Sequence, residues 1–181
     1  MKKLCLLLTA YCLLVISCKQ KTDHSHEISR LDSASAITES AEKFLLSVDT
    51  VSLRATYNIV QQDLNTIMTK ISSDTVQKKT ALFLAEAYDQ VGSIINLLSN
   101  KKFLEKAMND SRKQISDLKH DLAEDLIEKN KSGAYIVNEI NASAKISDAT
   151  NRAVQRAKEA VVKLDSLKTR IVSFADSLRA K

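Results

Sequence analysis

The residues of this chain best suited to metal chemistry are its histidines and the carboxylates beside them. His24 and His26 lie close together near the N-terminus, between Asp23 and Glu27. Two imidazoles with neighbouring carboxylates can hold Cu²⁺ or Zn²⁺ weakly. The surrounding segment is polar and has no periodicity, which is more typical of a solvated linker than of a metal site. We therefore expect no metal at this position.

The third histidine, His120, shares a predicted helix face with Asp117, Asp121 and Glu124. An acid three residues before a histidine occurs in carboxylate-bridged di-metal bundles, but those sites need the motif twice and carboxylates from two further helices. The pattern therefore favours a solvated acidic surface. No serine, threonine or lysine is paired with a histidine and a carboxylate in a way that predicts catalysis. We expect a protein that is not an enzyme and uses no cofactor.

Cysteine is confined to the first 18 residues, at Cys5, Cys12 and Cys18. The body of the chain therefore has no disulfide, no thiol nucleophile and no cysteine-ligated metal. Two lysines precede an uncharged apolar run over residues 4–16. Such a run spans about 20 Å as a helix, short of the ~30 Å hydrocarbon core of a bilayer. It predicts a signal peptide and not a membrane span.

The tetrapeptide Val15-Ile16-Ser17-Cys18 that ends this run resembles the lipobox of bacterial lipoproteins. The resemblance covers residues 1–18 alone. It implies that residues 1–17 are removed, that the Cys18 thiol is diacylglycerated and that the new amino group is acylated. The alternative is an ordinary secretory cleavage, because Val15 and Ser17 also suit a conventional signal peptidase. Two or three acyl chains would make the membrane attachment effectively permanent, so Cys18 is the predicted lipid attachment site.

Composition and charge limit the fold class and the partners of the rest of the chain. It has 181 residues with no proline and two glycines, too few turn residues for a sheet protein. Removing Lys2 and Lys3 with the leader lowers the net charge from +5 to +3, and the basic residues are dispersed among acids. A nucleic-acid binder would concentrate them in one stripe. We predict a lipidated cysteine and flexible tether over residues 18–30, one helical domain over 31–181, and no nucleic-acid partner.

Apolar residues recur along the body at spacings of three and four, which predicts helices with coiled-coil-like seams. The seams cover residues 53–71, 84–122 and 136–178. Short connections force neighbouring arms to run antiparallel. The predicted fold is all-α, an antiparallel bundle of three long helical arms, or of four helices if one arm breaks.

Two positions leave the number of helices open. Ser47-Val48-Asp49-Thr50 either splits the first arm or bends it. In the second arm, the seam changes phase near Ser99-Asn100, which indicates either a break or a local change of supercoil. Without proline or glycine there, we favour one continuous helix with a kink. The residues assigned to this seam are Leu84, Tyr88, Val91, Ile95 and Leu98, followed by Leu104, Met108, Ile115, Leu118 and Leu122.

The turn before the last arm is predicted at Asn130-Lys131-Ser132-Gly133. Gly133 can take the left-handed conformation that ends a helix, although Ser132 could instead cap the next one. Counting from this turn along antiparallel arms predicts an ion pair of Lys145 with Asp117 or Asp121. Such an exposed pair is worth at most ~1 kcal/mol.

Four basic residues of the last arm lie close to one helix face: Arg152, Arg156, Lys163 and Arg170. A strip of this kind can bind an anionic polysaccharide, lipopolysaccharide or phospholipid headgroups. The competing interpretation, which we favour, is a solvated face balanced by Glu159 and Asp165.

The leader, the Ile-Ser-Cys-Lys cleavage site and the helical body are similar to surface lipoproteins of spirochaetes such as the Borrelia group, several of which are helical-bundle adhesins. No body motif carries this resemblance. It implies a lipid-anchored, non-catalytic interaction or adhesion module at the outer membrane, with membrane lipid and either a protein or an anionic polysaccharide as partners. The alternative is a structural envelope spacer that self-associates or, like the murein-linked lipoprotein of enteric bacteria, joins its terminal Lys181 to the cell wall. The sequence does not distinguish the cell surface from the periplasmic face.

Overall fold

The computed structural model describes residues 22–71 and 77–180. Over these ranges the chain forms four α-helices and no strand: α1 (Ser25–Leu46), α2 (Thr50–Lys70), α3 (Lys78–Ala123) and α4 (Lys129–Arg179). The leader and Cys18 lie outside the described residues, as do residues 72–76 between α2 and α3. The predicted all-α class is confirmed.

The four helices make three arms. α1 and α2 both pack against α3 and α4 but not against each other, so they follow one another along the bundle as a single arm. The 51 residues of α4 correspond to about 75 Å of helix at 1.5 Å per residue, and the 46 residues of α3 to about 70 Å. The bundle is therefore long and narrow, with one divided arm and two continuous ones.

The interruption in the first arm is a helix break with its own cap. Asp49 is extended, and its Oδ1 accepts hydrogen bonds from Val51 N at 3.0 Å and Ser52 N at 3.1 Å. These two amides belong to the first turn of α2 and have no partner within the helix. The polar segment therefore splits the arm because its aspartate can satisfy the donors that a new helix exposes.

The interior holds two apolar clusters separated by a polar layer. The smaller cluster consists of Leu31, Ala34, Ile115, Leu118, Leu122 and Ile136, and the larger fills the rest of the bundle from Ala41, Met108 and Val154 onward. Between them lie small polar residues of all three arms, each at most 2% exposed: Thr38 of α1, Ser111 of α3, and Ser143, Ser147 and Thr150 of α4. Ser111 Oγ and Ser143 Oγ lie 2.9 Å apart and share a hydrogen bond. Small side chains at these positions let the arms approach closely.

The second arm is one helix, as favoured, but part of its seam was assigned to the wrong residues. Ile94 and Leu97 are fully buried, whereas Ile95 is 37% exposed. With Val91, Ile94 and Leu97 in the seam, two successive spacings of three place the change of phase at residues 91–97, and the seam then continues through Lys101 to Leu104. Lys101 holds a seam position although it is charged: its side chain is 24% exposed and its ammonium pairs with Glu105 at 2.9 Å.

The predicted turn at residues 130–133 is wrong. α3 ends at Ala123, and Asp125 takes the left-handed conformation with φ 56°. Leu126 N donates to Asp121 O at 2.8 Å and Asp125 N to Leu122 O at 3.2 Å, the two bonds of a Schellman motif. Aspartate can occupy this position where glycine is more usual. Gly133 lies inside α4 and has no positive φ.

The earlier turn changes the register of the last two arms. Because Ser111 lies opposite Ser143, Lys145 is level with residues near 109 and not with Asp117. Lys145 is exposed, and the predicted ion pair with Asp117 or Asp121 does not form among the described residues. The pairs that α3 does make with another arm reach α1: Arg112 Nη1 lies 2.7 Å from Glu42 Oε2, and Lys119 pairs with Asp32.

Candidate functional site

The predicted lipid attachment site, Cys18, lies outside the described residues, but the chain that follows it has a defined place. α1 begins at Ser25, six residues before the predicted start of the domain. Asp23 Oδ1 accepts a hydrogen bond from Ser25 N at 2.9 Å, and this backbone donor holds the pKa of Asp23 below its ordinary value of 3.8. Helix α1 therefore begins seven positions after Cys18.

His24 connects this N-terminal end to the turn between α3 and α4. Its side chain is buried, and its Nε2 lies 3.7 Å from Asp125 Oδ1. His24 Nδ1 is also buried and has no hydrogen-bond partner in the parts of the chain that the structure describes. The imidazole thus packs at the end of the bundle, against the residue that gives the turn its left-handed bend.

The histidine pair does not form a common site. His24 is buried, while His26 is exposed on the first turn of α1. Across residues 22–71 and 77–180, no group of three or more histidine, cysteine, aspartate or glutamate side chains is arranged to hold a metal ion. The group around His120 is likewise exposed: Asp117 and His120 lie on the last two turns of α3, and Glu124 directly follows the helix.

The four basic residues of the last arm have different surroundings. The Arg170 guanidinium lies 4.0 Å from the centre of the Phe83 ring, a cation–π contact between α4 and α3. Arg152 pairs with Asp148 one turn away. Arg156 takes part in no ion pair recorded among the described residues. The strip is therefore not one uniform cationic surface, because Arg170 serves helix packing.

Arg152 and Arg156 line a groove between α3 and α4, which we call the α3–α4 groove. Its volume is about 380 Å³, and its lining also includes Gly92, Ser93, Asn96 and Ala149. The groove lies on the surface of the bundle. Sequence reasoning found the two arginines but missed their neighbours, because residues of α3 and α4 meet only once the register of the two helices is known.

A second groove, between α2 and α4, has a more apolar lining. Its volume is about 280 Å³, and Ile59, Val60 and Val162 lie on its walls with Asp165 and Lys168. Val162 is 72% exposed and Ile59 is 49% exposed. Nothing in the described chain covers these two side chains.

None of the four helices has a stretch apolar enough to cross a bilayer, over the residues that the structure describes. No protein-family model matches this chain, and comparison with the curated proteins and with solved structures found no match.

Proposed function

We propose that this protein is a lipid-anchored, non-catalytic interaction or adhesion module of the bacterial envelope, attached to the outer membrane through Cys18. The observation that carries the proposal is the position of the N-terminal end. His24 lies against Asp125 at the end of the bundle formed by the turn between α3 and α4. Cys18 lies six positions before His24, a distance of at most about 20 Å when the chain is extended.

An anchor at this position gives the bundle a direction relative to the membrane. The turn between α3 and α4 would lie near the lipid, and the connection between α2 and α3 would lie at the far end. The helices run between these ends over about 75 Å. Their long outer faces, including the α3–α4 groove, would therefore remain accessible to a macromolecular partner such as a protein or an anionic polysaccharide.

Lipidation is tested by incorporation of labelled palmitate and by mass spectrometry of the mature N-terminus. Cys18→Ser should abolish the label and leave uncleaved precursor. Cys12→Ser is the matched control, since it removes a leader cysteine outside the lipobox, and it should be labelled like the natural chain. An unmodified N-terminal cysteine in the mature protein would contradict the proposal. Proteolysis of intact cells then distinguishes a surface protein, which is digested, from a periplasmic one, which is spared.

One observation favours the alternative of a cell-wall-tethered spacer. α4 begins beside the proposed anchor, and its last residue, Arg179, lies at the opposite end, where Arg179 Nη2 is 2.6 Å from Asp63 Oδ1 of α2. Lys181 follows two residues later, outside the described residues. A spacer linked to the wall would need this separation between anchor and terminal lysine. A muropeptide digest without a lysine-linked product would rule out the covalent tether.

A further inference from the structure

The first indication of a further site is Gly92, in the interior of α3. Glycine inside a helix costs about 1 kcal/mol relative to alanine. A Cβ at Gly92 would meet no atom within 4 Å, so helix packing does not require glycine there. The missing side chain instead deepens the α3–α4 groove opposite Ala149. Glycine at such a position allows a ligand to approach the backbone closely.

The second indication is the set of donors along the groove. Arg156 has no ion-pair partner in the described part of the chain, so its guanidinium can bind a carboxylate through two parallel hydrogen bonds. Asn96 Oδ1 accepts a hydrogen bond from Asn100 Nδ2 at 3.2 Å, which leaves the Asn96 amide N–H groups as donors. Arg152 lines the same wall; its guanidinium is exposed and pairs with Asp148 through Nη1, and a guanidinium has five N–H donors, so others remain for a ligand.

The third indication is an acceptor among these donors. Asp89 also lines the groove, and its Oδ2 accepts a hydrogen bond from Gln90 Nε2 at 3.1 Å. A carboxylate here repels a densely charged polyanion but can accept a hydrogen bond from a hydroxyl. The volume of about 380 Å³ falls in the range of ~300–1,000 Å³ typical of small-ligand sites.

We propose that the α3–α4 groove binds an acidic sugar, with the ligand carboxylate at Arg156 and Arg152 and a hydroxyl at Asp89. Gly92 admits the sugar ring to the floor of the groove. This inference rests on the proposed role as an interaction module, for which it names the ligand class. It requires one carboxylate accompanied by hydroxyls, and so excludes a polyphosphate.

The test is isothermal titration of the full chain, purified in a non-ionic detergent, with trigalacturonate as the probe. Maltotriose supplies a neutral sugar of the same length, and tripolyphosphate supplies charge without hydroxyl groups. We expect saturable binding of trigalacturonate alone. Losing one charge-assisted contact, as in Arg156→Gln, should weaken it about tenfold or more.

The decisive variant is Gly92→Leu, which fills the groove without changing any charge. It should also weaken binding about tenfold or more while circular dichroism shows an unchanged helix content. Gly133→Leu is the matched control, because a Cβ at Gly133 also meets nothing within 4 Å and that residue does not line the groove. This control should bind the probe like the natural chain.

Three results would overturn the inference: no saturable binding of trigalacturonate, equal binding of tripolyphosphate, or full binding by Gly92→Leu. The last result would show that any binding reflects charge alone. The soluble probe does not depend on the lipid, so its failure leaves the anchor at Cys18 standing. Conversely, an unmodified Cys18 would refute the anchor without affecting the titration.

Discussion

The polar layer gives the sharpest test of how this bundle is stabilised. Ser111→Ala removes one partner of the buried hydrogen bond and leaves the Ser143 hydroxyl unsatisfied. An unsatisfied buried hydroxyl costs about 1–3 kcal/mol, while alanine gains about 0.5 kcal/mol over serine in a helix. We therefore expect the free energy of unfolding to fall by about 1 kcal/mol. Ser143→Ala should have the same effect from the other side.

The double variant Ser111→Ala/Ser143→Ala should behave differently from the sum of its parts. It removes both hydroxyls together and leaves neither without a partner, so its free energy of unfolding should lie within about 1 kcal/mol of the natural value. If the two single effects simply added, the free energy of unfolding would fall by about 2 kcal/mol. The difference between this sum and the small effect expected for the double variant is a coupling energy of about 2 kcal/mol. Ser147→Ala is the control: its Oγ is buried with no partner among the described residues. Removing it should raise stability by roughly 0.5–1 kcal/mol.

The assay is urea unfolding of residues 19–181, monitored by far-UV circular dichroism. The free energies of unfolding of all variants are compared with a common slope against urea concentration. Equal slopes show that the surface exposed on unfolding has not changed. A double variant as unstable as the sum of the two single variants would refute the reasoning. Such additivity would mean that the two hydroxyls are each satisfied independently of the other.

Three further predictions use the same unfolding measurement. Leu64→Ala should lower the free energy of unfolding by about 2–5 kcal/mol because Leu64 is fully buried, whereas Val162→Ala, at a 72% exposed position, should change it by less than about 0.5 kcal/mol. Asp49→Ala should cost about 1 kcal/mol by removing the cap of α2. Gly133→Ala should stabilise the chain by about 0.5–1 kcal/mol because Gly133 is helical.

Each of these has a result that contradicts it. Equal effects of Leu64→Ala and Val162→Ala would mean that the seam does not form the core. A neutral Asp49→Ala would place the start of α2 elsewhere. Destabilisation by Gly133→Ala would indicate a left-handed residue at that position and restore the turn predicted from the sequence.

Much of the core could be read from sequence where a seam is purely apolar. The seam predicted over residues 53–71 contains Leu53, Val60, Leu64 and Ile67, and all four are buried. The assignment failed at Ile95, because the buried seam runs from Val91 through Ile94 to Leu97 with two successive spacings of three, and the regular alternation of three and four leads to Ile95 and Leu98 instead. Periodicity reports which residues are apolar, and it misses a long charged side chain that buries its stem.

The turn before the last arm was misplaced for a related reason. Glycine is the most common residue at a left-handed helix end, and Gly133 is the only glycine near the boundary. Asp125 takes that role here, and its carboxylate lies beside His24. That contact joins residues a hundred positions apart. Local sequence rules give how often each residue type ends a helix. They contain no information on a contact with a residue far away in the sequence.

The sequence by itself determined the all-α class and the absence of cysteine from the body, because composition and apolar spacing act locally along the chain; it favoured a continuous second arm, which the single helix α3 confirms. The proposed anchor also comes from the sequence, through the resemblance of residues 15–18 to a lipobox. Tertiary structure decided the register of α3 against α4, and with it the polar layer, the ion pairs with α1 and the α3–α4 groove. The physical reason is that the position of the turn sets which residues of α3 lie opposite which residues of α4. That position depends on the few backbone hydrogen bonds that end α3, so every contact between the two helices depends on them as well.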